Sequence, residues 1–495
     1  MPPLRIDDDL KYFASPEFRE LLDRFLKTEE SGHMGYFDAD ELTDIAEYYS
    51  MVEKDEQRSR EIVDWAITLH PDAVDPQVLR ARQSLIEMDY DRAEELCDQI
   101  QDQDHREVIF LRAELSICRQ KPDEALAYLM GILDHGNVED TDYFLYDGAY
   151  IFIDYEYFKQ AMVLAQKLEE IAPQWFKTWH LKADVLLELE QCEAALPYIE
   201  RMLDVDSFYV EAWNWRAEAY LSLDDLSEAA TSLDYALAVD PDCVRSIQLK
   251  AWLMVLQHRS EEAHALYARL QQDDPDNIEN WINDSNLLLD SDRPQEALDV
   301  IHQILPHIDD ASHDDRIMLL QQECQCYSAL GLPQQAMLSI DTIESELQDG
   351  DEAYRIDCLL LRGMVYLQEN QLDKSQPLLN RAIETDNNKA SAQYRVAALY
   401  FDFGYFGLAQ VLFETIERKL KSPGSDDDGT WLAQCHAYMA YCCHATKDYA
   451  GAERYIALAA KEHARNLATI FEGVLPASIA WDDYVYYYRD AVRRL

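Results

Sequence analysis

A chain of 495 residues with 43 Lys and Arg against 96 Asp and Glu carries a formal charge of −53, and such a surface repels phosphate-rich nucleic acid and anionic membrane at long range. Hydrophobic residues make up 48% of the chain and glycines and prolines number only 14 and 16, which supplies a continuous core and excludes long disorder or a β-rich architecture. No run is apolar enough to span a bilayer, and the start MPPLRIDDDLKYF lacks the basic and apolar segments of a secretory signal, so the expectation is a soluble, cytoplasmic protein without a disulfide framework.

The first predicted element is a helix from Ser15 to Lys27 with Phe18, Leu21, Leu22 and Phe25 apolar; residues 1–36 are read as an N-terminal cap. Helix pairs follow, seen most clearly in AWNWRAEAYLSLDDLSEAATSLDYALAVDP, residues 212–241. One helix over about Tyr209–Ser222 puts Trp213, Ala217 and Tyr220 on one face; a second, after Asp224-Asp225, does the same with Ala229, Leu233 and Ala236. Asp and Ser at the start of the second helix can accept orphan backbone N–H groups, and Pro241 cannot continue it. One such pair has nothing to bury its apolar face against. The cover comes from repetition: Trp179, Ala183, Ala195 and Ile199 hold the same phase upstream, then Ile247, Ala251, Ala263 and Tyr267, and Trp281, Ser285, Ala297 and Ile301 downstream, while Pro241 recurs as Pro275.

This period, with its tryptophan, small residues and closing proline, resembles the tetratricopeptide repeat family. The resemblance implies an all-α fold, a right-handed α-α superhelix of about 11–12 helix–turn–helix repeats. The small residue of each second helix can be followed as Ala93, Ala125, Ala161, Ala195, Ala229, Ala263, Ala297, Ala336, Ser375, Ala409 and Ala452, with a weaker first member at Ser59. Alanine, serine or glycine is needed there and at the facing positions, such as Gly363 and Ala397, because a large side chain would force the two helices apart.

Residues 37–305 are read as the regular array. In 306–465 the spacing lengthens, with extra residues in PHIDDASHDD, ESELQDGDEA and KLKSPGSDDDGT, which predict longer helices or polar connectors. A change of superhelical geometry is expected near Pro306–Asp315, and an exposed, protease-sensitive loop at Lys421–Gly429. Residues 466–495 are read as a C-terminal cap. Its last stretch, AWDDYVYYYRDAVRRL, combines Trp481, Tyr484, Tyr486, Tyr487 and Tyr488 with Arg489, Arg493 and Arg494. The alternative for this stretch is docking into an acidic groove, its own or a neighbour's.

In the resembled family the first helices line a concave groove that holds a peptide or a partner's helix. Carried over one residue beyond the core aromatics, the groove-lining positions are Tyr146, Tyr150, His180, Asp184, Asn214, Glu218, Gln248, Trp252, Asn286, Gln321 and Gln325. Amides can pair with a peptide main chain, and Tyr and Trp offer apolar area with a polar handle. The basic carboxylate clamp of one well-known variant of the family has no counterpart in this row.

No phosphate loop, H-E-x-x-H or G-x-S-x-G is present, so no catalytic residue, metal or cofactor is assigned. The nearest metal-like grouping, Cys435, His436, Cys442, Cys443 and His444, falls mostly on packing positions of one repeat. The reading is a non-catalytic scaffold or adaptor that binds a basic or amide-rich peptide or protein in the groove. The alternatives are a scaffold that self-associates through the solenoid ends, above all the C-terminal region, and, last, an enzyme or metal-binding protein.

Overall fold

The computed structural model describes residues 12–31, 35–135, 140–308, 313–348, 350–386, 389–421, 430–462, 464, 466–476, 479–480 and 483–494. They form an all-α solenoid of helix–turn–helix repeats, divided into two compact units, Met1–Leu253 and Met254–Leu495.

In the first unit α1 (Pro16–Ser31) precedes six pairs: α2 (Ala39–Met51) with α3 (Glu56–Leu69), α4 (Val74–Ile86) with α5 (Tyr90–Gln99), α6 (Arg106–Cys118) with α7 (Pro122–His135), α8 (Thr141–Asp154) with α9 (Phe158–Ile171), α10 (Phe176–Glu188) with α11 (Cys192–Val205), and α12 (Val210–Ser222) with α13 (Leu226–Val239). The division falls within α14 (Val244–Leu256). The second unit continues with α15 (Ser260–Asp273) and five pairs: α16 (Ile278–Asp290) with α17 (Pro294–Ile304), α18 (His313–Ala329) with α19 (Pro333–Glu346), α20 (Glu352–Gln368) with α21 (Leu372–Thr385), α22 (Lys389–Asp402) with α23 (Phe406–Leu420), and α24 (Thr430–Ala445) with α25 (Tyr449–Lys461). A short α26 (Leu467–Ile470) and α27 (Tyr484–Arg494) follow.

Every small residue traced from Ser59 through Ala452 is 0% exposed, so each marks a helix crossing with no room for a larger side chain. The turn before it is equally constrained. The residue five positions earlier has a positive φ in all twelve cases: Lys54, Met88, Gln120, Glu156, Glu190, Asp224, His258, Asp292, Gly331, Asn370, Gly404 and Lys447. Only two of these are glycine, although the left-handed conformation costs an L-residue roughly 1–2 kcal/mol. The close packing beyond each turn holds the backbone there against that cost.

Local hydrogen bonds fix the same units. Asp55, Asp89, Asp225 and Asp448 each accept the backbone N–H three residues on, capping a second helix. Trp179, Trp213 and Trp281, which share one phase of the repeat, each donate the indole N–H to the carbonyl six residues back, at 2.9–3.0 Å. The tryptophan therefore ties its helix to the preceding turn as well as filling the core.

The longer spacing in the second unit appears as longer first helices: α18 and α20 have 17 residues where α10, α12 and α16 have 13. The stretch Leu305–His307 is a 3-10 turn. Of the loop at Lys421–Gly429, residues 422–429 lie outside the described residues.

Both ends of the chain carry helices packed on the adjacent repeat. α1 runs four residues beyond the predicted Lys27 and buries Phe18 and Phe25 completely, in one cluster with Phe37, Ile45 and Ala66. α27 packs on α25 of the same chain. It buries Tyr484 and Tyr488, the Tyr488 hydroxyl lies 3.0 Å from His444 Nδ1, and Arg489 pairs with Glu453. Tyr486 and Tyr487 remain exposed, and Trp481 lies outside the described residues.

A Cβ on Gly363 would stand 2.4 Å from Leu379 Cδ2 and 2.8 Å from Leu379 Cγ, and Leu379 is fully buried. Gly363→Ala is expected to lower stability by about 1–3 kcal/mol through overpacking, and Leu379→Ala in the same chain to cancel that particular loss; urea denaturation of the double-mutant cycle measures it. Tyr488→Ala should cost about 3 kcal/mol by emptying a buried aromatic site. Hydrogen exchange confined to α24 and α25 would report the loss, and unchanged protection there would contradict the packing described.

Candidate binding face of the first unit

Helical periodicity puts residues three and four apart on one side. In four successive first helices this side carries Asp75, Val78 and Arg82 on α4; Glu107, Phe110 and Glu114 on α6; Tyr143, Tyr146 and Tyr150 on α8; and Lys177, His180 and Asp184 on α10. Residues of α2, α4, α6 and α8 enclose a cavity of about 450 Å³. Its lining includes eight carboxylates and two guanidinium groups over an apolar floor of Val78, Leu79, Phe110 and Ile151.

Arg82 is buried and donates to both oxygens of Glu114, from Nη2 at 2.7 Å and from Nε at 3.1 Å, and to Glu107 at 3.1 Å. Burial opposes its charge, but the Glu114 and Glu107 carboxylates outweigh that and raise its pKa. Arg106 pairs with Asp147. The remaining acids are therefore unevenly compensated. Asp75 and Asp154 have no hydrogen-bond or ion-pair partner among the described residues, and burial raises both carboxyls, that of Asp154 to about 8 with Glu114 and Asp184 adding to the effect.

Tyr146, Tyr150, His180 and Asp184, all expected in the groove, come together beside this cavity. The Tyr150 hydroxyl lies 2.9 Å and that of Tyr146 3.5 Å from His180 Nδ1. The His180 ring stands 4.7 Å from that of Trp215, and its Nε2 is 3.6 Å from Glu211. Burial pushes the Asp184 carboxyl up to about 6, against the opposing pull of His180 and a hydrogen bond from Tyr150.

Asn214 is placed elsewhere: it is only 5% exposed, and its Oδ1 accepts from Ser246 Oγ at 2.7 Å, so the side chain joins α12 to α14. Glu218 accepts from Arg245, and Gln248 is half-buried. Trp252 is 44% exposed. In the second unit Asn286 and Gln325 are exposed, and Gln321 donates to Asp357 at 3.1 Å. The residues not anticipated are the ladder of Asp75, Arg82, Glu107, Glu114 and Asp154. The repeat phase that selected Tyr146 and Tyr150 also selects Phe110 with Glu114 and Val78 with Arg82, so the signal was present one and two repeats upstream.

Cys435, Cys442 and Cys443 are buried, and burial pushes the Cys442 and Cys443 thiols up to about 12 and 11. His436 turns Nδ1 to Glu462 at 2.6 Å and Nε2 to Glu417 at 3.3 Å, whereas His444 faces Tyr488. The two histidines thus turn to different partners, away from a common centre with the buried thiols. Among the described residues no group of three or more His, Cys, Asp or Glu is placed to hold a metal, and no helix is long and apolar enough to cross a membrane.

Residues 180–242 and 356–389 match the tetratricopeptide repeat family. With the repeat geometry above, this makes the chain a tetratricopeptide repeat protein, an architecture of protein-interaction scaffolds. Among solved structures it is similar to a tetratricopeptide repeat protein from Parabacteroides merdae, with 16% identity over 52% of this chain and 98% of that one and a TM-score of 0.40. It is also similar to the apo form of the quorum sensor NprR from B. thuringiensis, with 15% identity, 72% and 96% coverage and a TM-score of 0.42. Human IFIT1, as a dimer with PPP-AAAA, gives 11% identity, 85% and 90% coverage and a TM-score of 0.40. No curated protein matches.

The raised carboxyl of Asp154 sets a pH dependence. Its folded value, about 8, lies above the ordinary 3.8, so the folded chain holds more protons than the unfolded one between those values and stability falls as pH rises through that window. Asp154→Asn should flatten the decline between pH 6 and pH 9 and leave the variant the more stable at pH 9, as read by chemical denaturation. A decline identical to the wild type would remove Asp154 as its source.

Proposed function

We propose that the protein is a non-catalytic, cytoplasmic adaptor that grips an extended basic segment of a partner protein along the inner face of its first unit. The observation that carries this reading is the cavity walled by α2, α4, α6 and α8, with its carboxylates, an apolar floor and two acids, Asp75 and Asp154, that make no hydrogen bond or ion pair among the described residues. A lysine or arginine side chain suits that combination, since its aliphatic stem covers apolar surface while its charged head meets a carboxylate. The approaching cation also favours the ionised form of Asp154, so binding near neutral pH would release a proton. Along the same repeat phase, Gln248 and Trp252 on α14 offer amide and aromatic contacts to the main chain of such a segment.

Fluorescence anisotropy with labelled peptides tests it. A Lys- and Arg-containing peptide should bind, a matched Glu-containing peptide should not, and affinity should fall as salt is raised. Asp75→Asn with Asp154→Asn should weaken binding about tenfold or more while the helical circular dichroism spectrum is kept, in line with the loss of charge-assisted contacts. Equal affinity of wild type and double variant would remove the cavity from the binding surface.

A further inference from the structure

Beside the acidic cavity, the ammonium of Lys177 lies over three aromatic rings at once. It stands 4.8 Å from the ring centroid of Tyr146, 4.9 Å from that of Tyr143 and 5.9 Å from that of Trp175. Tyr143 and Trp175 are 4.9 Å apart at 69°, and Tyr146 and Trp175 are 5.9 Å apart at 63°. Trp175 thus stands steeply to both tyrosines, and the three rings surround one cation. Tyr146 is nearly buried and forms the base, whereas Tyr143 is 41% exposed and Trp175 half-buried, which leaves the box open to solvent on one side.

A closed core does not need this arrangement. Aromatic faces carry negative electrostatic potential and attract a cation within about 6 Å of the centroid, most strongly where the cation is desolvated. Here the chain's own side chain shows that the box accepts an ammonium. Lys177 reaches it on a flexible four-carbon stem from the first turn of α10, so the occupant can leave without any movement of the backbone. The net charge of −53 also favours a cationic visitor over an anionic one.

We propose that Tyr143, Tyr146 and Trp175 form a receptor for an organic ammonium on the partner, a lysine side chain or, better, its methylated forms, and that Lys177 is a resident stand-in which the ligand displaces. Methylation spreads the charge, lowers the hydration that must be given up, and adds methyl groups that pack against the ring faces. The proposal rests on the inner face being the binding surface. It adds a second, aromatic subsite next to the carboxylate cavity and a self-occupancy that lowers the apparent affinity of the empty protein.

The probe is Nα-acetyl-trimethyllysine amide, titrated calorimetrically into the full chain. Lys177→Ala should bind it about tenfold more tightly than the wild type, because the competing ammonium is gone. Lys177→Met, which keeps the stem and its packing without the charge, should shift in the same direction by less. Adding Trp175→Ala to Lys177→Ala should abolish the gain. An affinity for Lys177→Ala or Lys177→Met no higher than the wild type, or a gain that survives Trp175→Ala, overturns the proposal. The basic peptide of the preceding section, titrated in parallel, separates the two readings. If that peptide binds while the Lys177 variants gain nothing, the box alone is refuted; if neither ligand binds, the inner-face reading falls with it.

Discussion

The structure depends on one contact made twelve times, the crossing of two helices at a side chain no larger than alanine or serine. Each of these residues is fully buried. The crossing dictates the turn before it, because the chain must reverse within a few residues and reach the second helix at close range. A left-handed residue supplies that reversal in every repeat, and ten of the twelve are not glycine. Local strain is accepted there because the packing it permits is worth more. Gly363 is the tightest case, where the facing Leu379 leaves no space for a Cβ.

The stacking of repeats then decides the fate of charge. First helices of successive repeats adjoin, so equivalent positions on α4, α6, α8 and α10 form rows across the first unit. Arg82 sits in such a row and is held by carboxylates from the next repeat, a buried pairing that would be costly if either partner were removed. The same stacking leaves Asp75 and Asp154 without a hydrogen bond or ion pair among the described residues, with Arg82 acting on both only at longer range. Next to them it raises the aromatic walls that Lys177 fills. An acidic cavity and an ammonium box side by side make this stretch chemically distinct from the amide-bearing face of the second unit.

Period, helix pairing, capping aspartates and the line of small residues were all legible in the chain. The extra residues announced longer helices or polar connectors, and at α18 and α20 the first helix is the longer one. The placement of the expected groove residues was legible in part. Tyr146, Tyr150, His180 and Asp184 share the face that their spacing assigns, but Asn214, at an equivalent position, is spent on Ser246. The difference lies in the neighbouring helix: Asn214 meets a hydroxyl of the next repeat and is buried against it, whereas His180 meets the Tyr146 and Tyr150 hydroxyls of the repeat before and is only partly covered.

By itself, then, the sequence determined what repeats: a period of two helices, an apolar stripe on each, and a small residue where they cross. These follow from helical geometry and burial, which act over a few residues at a time. Only the tertiary structure decided which of the many carboxylates were neutralised, which polar side chains were consumed between repeats, and where Lys177 would rest. Those outcomes depend on distances between side chains some thirty residues apart, set by how one repeat leans on the next. The twelve left-handed turns belong to the same class, since residues as unlike as Met88, His258 and Lys447 share a conformation that none of them prefers.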